Sequence, residues 1–243
     1  MKTIFYKEYL LISKNFVSLE SEAILSDNGG KNIKIALLDS GINLDKKFFK
    51  NASIEMRNFI EEESPYDKTG HGTKNASLLL DILPHCKLFV AKVLAERTRH
   101  GKDAESIAKA IRWAIYKKVD IVLMPFGTSK SSREIAKAIK MGQNKQIQFF
   151  ASAGNRGENT ILFPAFLKGV FAVSAIDKAG IPMKECCQLS MVDIYASGEN
   201  ISTPLCMYGT DSISGSSPAC VIAGGIEALR LSYEKKLLHS QRI

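Results

Sequence analysis

Five short apolar runs rich in β-branched residues alternate with stretches of helical period, and this alternation most constrains the fold. Ile33–Leu38, Leu88–Leu94, Val119–Met124, Ile147–Ala153 and Val170–Ala175 each read as a strand that is apolar on both faces. Between them, Ile107, Ile111 and Ile115 recur every fourth residue behind Asp103, a candidate N-cap. Ser131 or Ser132 is placed to cap the next helix, which carries Ile135 and Ile139. A last helix starts near Pro218 and runs past Leu229. Strands apolar on both faces need cover on both. The pattern therefore predicts an α/β fold, a three-layer αβα sandwich around a mostly parallel sheet. In such folds, sites gather just past the carboxyl ends of strands.

No low-complexity linker, repeat or charge block divides the 243 residues, so one domain over 1–243 is expected, with its core at about 33–231. The formal charge is +8, but lysines such as Lys109, Lys117 and Lys118 fall at spacings that suggest solvated helix faces. Nucleic-acid binding needs basic residues gathered with aromatic ones, and only the stretch near Phe48 and Phe49 comes close. No nucleic-acid partner is expected. No apolar run reaches the roughly 18 residues of a spanning helix, so no membrane partner is expected either. Met1–Glu20 lacks the apolar core of a signal peptide, which points to the cytoplasm. The five cysteines include no C-x-x-C spacing. Adjacent Cys186 and Cys187 read as free thiols of a reducing compartment. No metal or cofactor is expected.

Four segments stand where a parallel sheet puts its chemistry. Asp39 ends the first apolar run ahead of Gly41; alone, such an acid serves a metal or phosphate as readily as catalysis. His71 lies between Gly70 and Gly72 at the start of an apolar helix, where glycines admit close backbone or substrate approach. Ser217 precedes Pro218 at the start of the last helix. It reads equally as an N-cap before a Pro at the first helical position and as a nucleophile at a helix N-terminus. Asn155 ends the run Phe150–Asn155, as a turn residue or as a donor to developing negative charge. No G-x-G-x-x-G or G-x-x-x-x-G-K-[ST] loop follows the first strand, which excludes the common phosphate-cradling domains.

Leu38-Asp-Ser-Gly-Ile42, Gly70-His-Gly-Thr73, Ala151-Ser-Ala-Gly-Asn155 and Gly215-Ser-Ser217 occur in this order, and in them the chain resembles the subtilisin-like (subtilase) serine proteases. The resemblance runs from about Ile33 to Leu231. It implies a serine endopeptidase with Ser217 as nucleophile, His71 as general base and Asp39 orienting the imidazole. Asn155 and the Ser217 N–H would form the oxyanion hole. It places an extended substrate between edges matching Met124–Thr128 and a stretch around Arg99–Lys102. Ser152, Ala153 and Gly154 would wall the first specificity pocket opposite Pro125, Phe126 and Gly127. That pocket reads as one for an apolar or medium-sized side chain.

The departures carry expectations too. Pro218-Ala219-Cys220 replaces the family's Met-Ala-Ser after the nucleophile. Lys74-Asn75-Ala76-Ser77 replaces its His-Val-Ala-Gly after the His. The short loop before Leu88 leaves Asp81 alone where the family holds a structural calcium, so that site is not expected. Only 38 residues precede Asp39, too few for a signal and a folding propeptide. Restraint would then come from narrow specificity, low intrinsic activity or an inhibitory or regulatory partner protein. The expected substrate is a dedicated intracellular protein or precursor peptide. The competing reading is an impaired subtilase-like domain that binds a peptide or protein.

Overall fold

The apolar runs pair side by side in one sheet. The computed structural model describes residues 2–6, 9–13, 29–61, 63–95, 102–205 and 212–240. Its strands are β1 (Lys2–Tyr6), β2 (Tyr9–Ser13), β3 (Lys34–Asp39), β4 (Ser53–Asn58), β5 (Lys87–Lys92), β6 (Ile121–Met124), β7 (Gln148–Ser152), β8 (Val170–Ile176) and β9 (Ile194–Ser197). Their order is β1-β2-β9-β8-β7-β6-β3-β5-β4. The seven from β9 to β4 run parallel, and the antiparallel β1–β2 hairpin joins at the β9 edge. The five expected strands are β3 and β5 to β8.

Four helices cover the sheet among the described residues: α1 (His71–Ile82), α2 (Lys102–Tyr116), α3 (Arg133–Gln143) and α4 (Ser216–Ser240). Alternation along β3 explains the two cores. Ile35 and Leu37 pack with α1 and α4, while Ala36 and Leu38 pack with α2 and α3. Strand β3 buries residues on both faces, and so do β5 to β8, as their unbroken apolar runs require.

The helix starts refine the expected caps. Ser132 caps α3, with extended backbone and Oγ accepting from Ile135 N. Asp103 lies inside α2, which begins at Lys102, so it is not the cap. Ser217 and Pro218 lie inside the first turn of α4, which begins at Ser216, and the N-cap reading of Ser217 fails. Its hydroxyl donates to the Pro125 carbonyl instead of accepting from an α4 amide.

The chain lays β4 and β5 on one side of β3 and β6 to β9 on the other. The carboxyl end of β3 is therefore a topological switch point, the usual place for a site in an open parallel sheet.

Candidate active site

Asp39 is the last residue of β3 and is fully buried. Its Oδ1 accepts from Ser40 N at 2.7 Å and lies 2.6 Å from His71 Nδ1. Its Oδ2 accepts from Asn75 Nδ2 at 2.9 Å. A buried carboxylate is tolerated only when so partnered. His71 opens α1 with 39% of its side chain exposed, while its Nδ1 contacts the buried Asp39 carboxylate. The Asp39 charge holds the imidazole above the ordinary histidine range against the pull of burial, and its hydrogen bond and the more distant Asp67 add to this.

The two glycines beside His71 have different reasons. Gly70 caps α1 at φ 80°, a left-handed backbone that favours glycine. Gly72 is needed for space: a Cβ there would lie 2.2 Å from the Gly41 carbonyl oxygen and 3.1 Å from Asp39 Cβ. Helix α1 thus touches the end of β3 through bare backbone, which brings His71 to Asp39.

Sequence reasoning missed the residue that anchors this corner. Asp67 is buried and accepts from Ser40 Oγ, the Thr69 amide and hydroxyl, Gly70 N, and the Thr73 amide and hydroxyl, all within 3.0 Å. It satisfies amides that the first turn of α1 leaves without carbonyl partners, and its charge suits the helix N-terminus. Burial alone would raise its carboxyl, but the hydrogen bonds from Thr73, Ser40 and Thr69 outweigh it and hold Asp67 below the usual range. Lys92 was missed as well. Its side chain is buried at the end of β5, and its Nζ donates to the Tyr66 carbonyl and lies 3.4 Å from Glu63.

The adjacent serines part company. Ser216 is fully buried; its Oγ is 2.6 Å from Ser152 Oγ and 2.6 Å from Asn155 Oδ1, and its N–H donates to the same Oδ1. Ser217 is half-buried and donates its hydroxyl to Pro125 O at 2.6 Å. A hydroxyl has one proton to give, so in this rotamer it does not donate to His71. The structure therefore joins Asp39 to His71 and Asn155 to Ser216, while Ser217 faces the end of β6. Ser212 and Ser214 are exposed, with their hydroxyls near Asn200 Oδ1.

Asn155 follows β7 in an exposed turn. With Oδ1 occupied by Ser216 and by the Cys186 thiol at 3.3 Å, its amide NH₂ is directed away from these partners. Gly215, at φ +108°, leaves room for that amide, since a Cβ there would lie 2.5 Å from Nδ2.

The two expected pocket walls continue from the paired strands β6 and β7: Pro125, Phe126 and Gly127 on one side, Ser152, Ala153 and Gly154 on the other. Ser152 and Ala153 are buried. Most of the expected Arg99–Lys102 edge lies outside the described residues. Cys86, Cys186, Cys187 and Cys220 are buried free thiols. No helix among the described residues is long and apolar enough to cross a membrane. Nor does any cluster of three His, Cys, Asp or Glu among them suit a metal ion.

The family model described as Peptidase S8, subtilase family, matches residues 30–242. The chain is 31% identical over 212 residues to a thermostable alkaline protease of Halalkalibacterium halodurans, covering 82% of this chain and 57% of that one. It is 30% identical over 230 residues to the major intracellular serine protease of Bacillus subtilis, covering 85% and 70%. Among solved structures, the prenylagaramide maturation protease PagA matches with a TM-score of 0.75 at 25% identity, over 88% of this chain and 81% of that one. The patellamide maturation protease PatA matches with a TM-score of 0.75 at 25% identity, over 86% and 81%. The chain thus spans little more than half the length of the first of these relatives.

Proposed function

The chain belongs to the subtilase family of serine proteases, and from that premise we propose that it is an endopeptidase acting through Asp39, His71, Ser217 and Asn155. The observation that carries this reading is the 2.6 Å contact of His71 Nδ1 with the buried Asp39 carboxylate. It fixes the tautomer with a proton on Nδ1 and leaves Nε2 to accept one from a hydroxyl. Ser217 is the serine with access, because Ser216 is buried and doubly bonded.

The chemistry then runs in two halves. Ser217 Oγ leaves Pro125 O, gives its proton to His71 Nε2 and bonds the scissile carbonyl carbon. The oxyanion meets the Asn155 amide and the Ser217 N–H, one of the unpaired amides at the start of α4. His71 returns the proton to the leaving amine, and water repeats the sequence on the acyl-enzyme. Asp39 stays ionised and stabilises the imidazolium throughout.

The substrate in this reading is a dedicated protein or precursor peptide in the cytoplasm. The maturation function in the names of PagA and PatA and the intracellular B. subtilis relative support it. An extended peptide would lie along Met124–Thr128, where the Pro125 carbonyl remains an acceptor. Restraint by narrow specificity or by a partner protein belongs to the same proposal.

A second reading has its own observation. The Ser217 hydroxyl bonded to Pro125 rather than to His71 suits an impaired domain that binds peptide without cutting it. A fluorophosphonate probe separates the two. Labelling of the wild type but not of Ser217→Ala supports the hydrolase; a folded protein that takes no label supports the binding module.

A further inference from the structure

We propose that Leu162 closes the slot beside Ser217, so that the enzyme cleaves after small residues such as Gly, Ala or Ser. This rests on the hydrolase reading and names its substrate class. It replaces the medium-sized pocket expected from the sequence.

The slot is bounded by two backbone segments. Pro125–Gly127 leaves β6 and carries the carbonyl that holds Ser217 Oγ. Ser152–Gly154 leaves β7 and leads directly to Asn155. A carbonyl carbon within reach of Ser217 Oγ, with its oxygen toward Asn155 Nδ2, sits at the mouth of this slot. The side chain preceding the scissile bond must enter between the two segments.

Leu162 already occupies the space between them. A Cβ on Gly127 would lie 2.5 Å from Leu162 Cβ and 2.9 Å from its Cδ1. A Cβ on Gly154 would lie 2.7 Å from Leu162 Cγ and 2.8 Å from its Cδ1. One side chain therefore touches the Cα of both walls. Both walls are glycine at that level, and the room this makes is taken by Leu162 rather than left to a ligand. Leu162 is 8% exposed.

The backbone on either side of that side chain is tied to both walls. Leu162 N donates to Ala153 O at 2.9 Å. Phe163 exchanges hydrogen bonds with Thr128, N–H to O at 3.0 Å and O to N–H at 2.7 Å. These ties fix the Leu162 backbone, so its side chain can leave the slot only by a change of rotamer within a closely packed interior. On this inference the slot takes a methyl group above Leu162 and excludes a benzyl group.

The test uses the full chain and tetrapeptide p-nitroanilides that differ only in Ala, Leu or Phe before the scissile bond. The wild type is expected to favour Ala over Phe in kcat/KM by about 100-fold, the range set by steric exclusion from a pocket. Leu162→Gly and the milder Leu162→Ala, each checked for folding by thermal melting, are expected to raise the Phe-to-Ala ratio by about tenfold or more. A wild type that cleaves after Phe as well as after Ala overturns the inference. So does a ratio unmoved in both folded variants. Titration of Ser217→Ala with fluorescent peptides ending in Ala or Phe reads the slot without turnover. Tighter binding of the Ala peptide, reversed or equalised by Leu162→Gly, supports the inference. Equal binding, or none, overturns it. Fluorophosphonate labelling, scored separately, tells whether the hydrolase reading itself has failed.

Discussion

Replacing Asn75 by leucine separates orientation of the proposed triad from stability of the fold. Asn75 is buried four residues after His71, on the same face of α1. It gives Asp39 Oδ2 its hydrogen bond at 2.9 Å, while its own Oδ1 is buried without a partner. The opposite amide orientation would set two acceptors against each other, so the assignment holds. Leucine removes a hydrogen bond to a charged group, about 1.5–3 kcal/mol, and also an unsatisfied carbonyl costing about 1–3 kcal/mol. These nearly cancel, and the unfolding free energy is expected to change by less than about 1 kcal/mol. Activity has no such offset. Asp39 would keep Ser40 N and His71 on Oδ1 alone, free to turn about its last bond. The full hydrogen-bond energy sets a ceiling of about 10- to 150-fold on the loss, and a drop in kcat of about tenfold is expected. Losing the donor also concentrates the Asp39 charge on His71, which moves the acid limb of the pH–rate profile upward. Thermal melts and kcat against pH on a peptide anilide read both effects. A variant with kcat within twofold of wild type and an unmoved acid limb would refute the reasoning.

As the proposed general base His71 would work only when neutral, so kcat/KM is expected to fall as pH drops through a value above the ordinary histidine range of about 6.5. Its stability contribution runs the other way: the protonated ring stabilises the fold fully below about pH 6.5, and this is lost as pH rises through the raised folded value. Melting wild type and His71→Ala across pH 5–9 checks the sign. Gly215→Ala would set a Cβ 2.5 Å from Asn155 Nδ2 at a left-handed φ. Loss of one oxyanion donor costs about 10²–10³ in kcat, and a comparable fall with KM little changed is expected. Full activity in Gly215→Ala would exclude Asn155 from the oxyanion hole. Burial pushes the Cys86 thiol up to about 12 and Cys186 to about 11, and raises Cys187 and Cys220 as well. These four are expected to stay unreactive to a disulfide reagent at pH 8 until the protein unfolds; fast labelling of any one in the native state would contradict this.

What the sequence revealed follows from where each residue lies. Strands β3 and β5 to β8 are apolar on both faces, and a continuous apolar run bounded by turns is readable. Strand β4 is an edge strand in which exposed Ser53 and Arg57 alternate with Ile54 and Met56, which pack on the core, and so short an alternation did not stand out. Strand β9 has four residues, too few for a period. Asp39, His71 and Asn155 were visible because each stands at or just past the end of an element with a glycine one or two residues away. Asp67 was not, because it lies in a polar loop and only folding brings Ser40 and Thr73 onto it. Asn75 was visible as a departure, yet its meaning needed the helix face that points it at Asp39. Ser217 had the composition of a helix cap, and it does lie in the first turn of a helix; tertiary contact with Pro125 claims its hydroxyl instead.

The separation of His71 from Ser217 is set far from either side chain. Each lies in the first turn of a buried helix, α1 and α4, and these helices pack on one another in the same layer. Gly225 of α4 leaves space for α1, because a Cβ there would lie 3.2 Å from two methyl carbons of Ile82. Gly224 does the same toward the sheet, where a Cβ would lie 2.2 Å from Leu123 Cδ2. Leu123 is in β6, one residue before Met124 and two before Pro125, whose carbonyl holds Ser217. Pressing on Leu123 therefore shifts both α4 and the strand that carries the slot. Overpacking of this kind costs about 1–3 kcal/mol. Gly224→Ala is accordingly expected to lower kcat about tenfold or more while the protein still melts cooperatively, since a misplacement near 1 Å suffices for a loss of that order. Full activity in Gly224→Ala would mean that the reacting groups adjust to their scaffold, and that helix packing does not set their spacing.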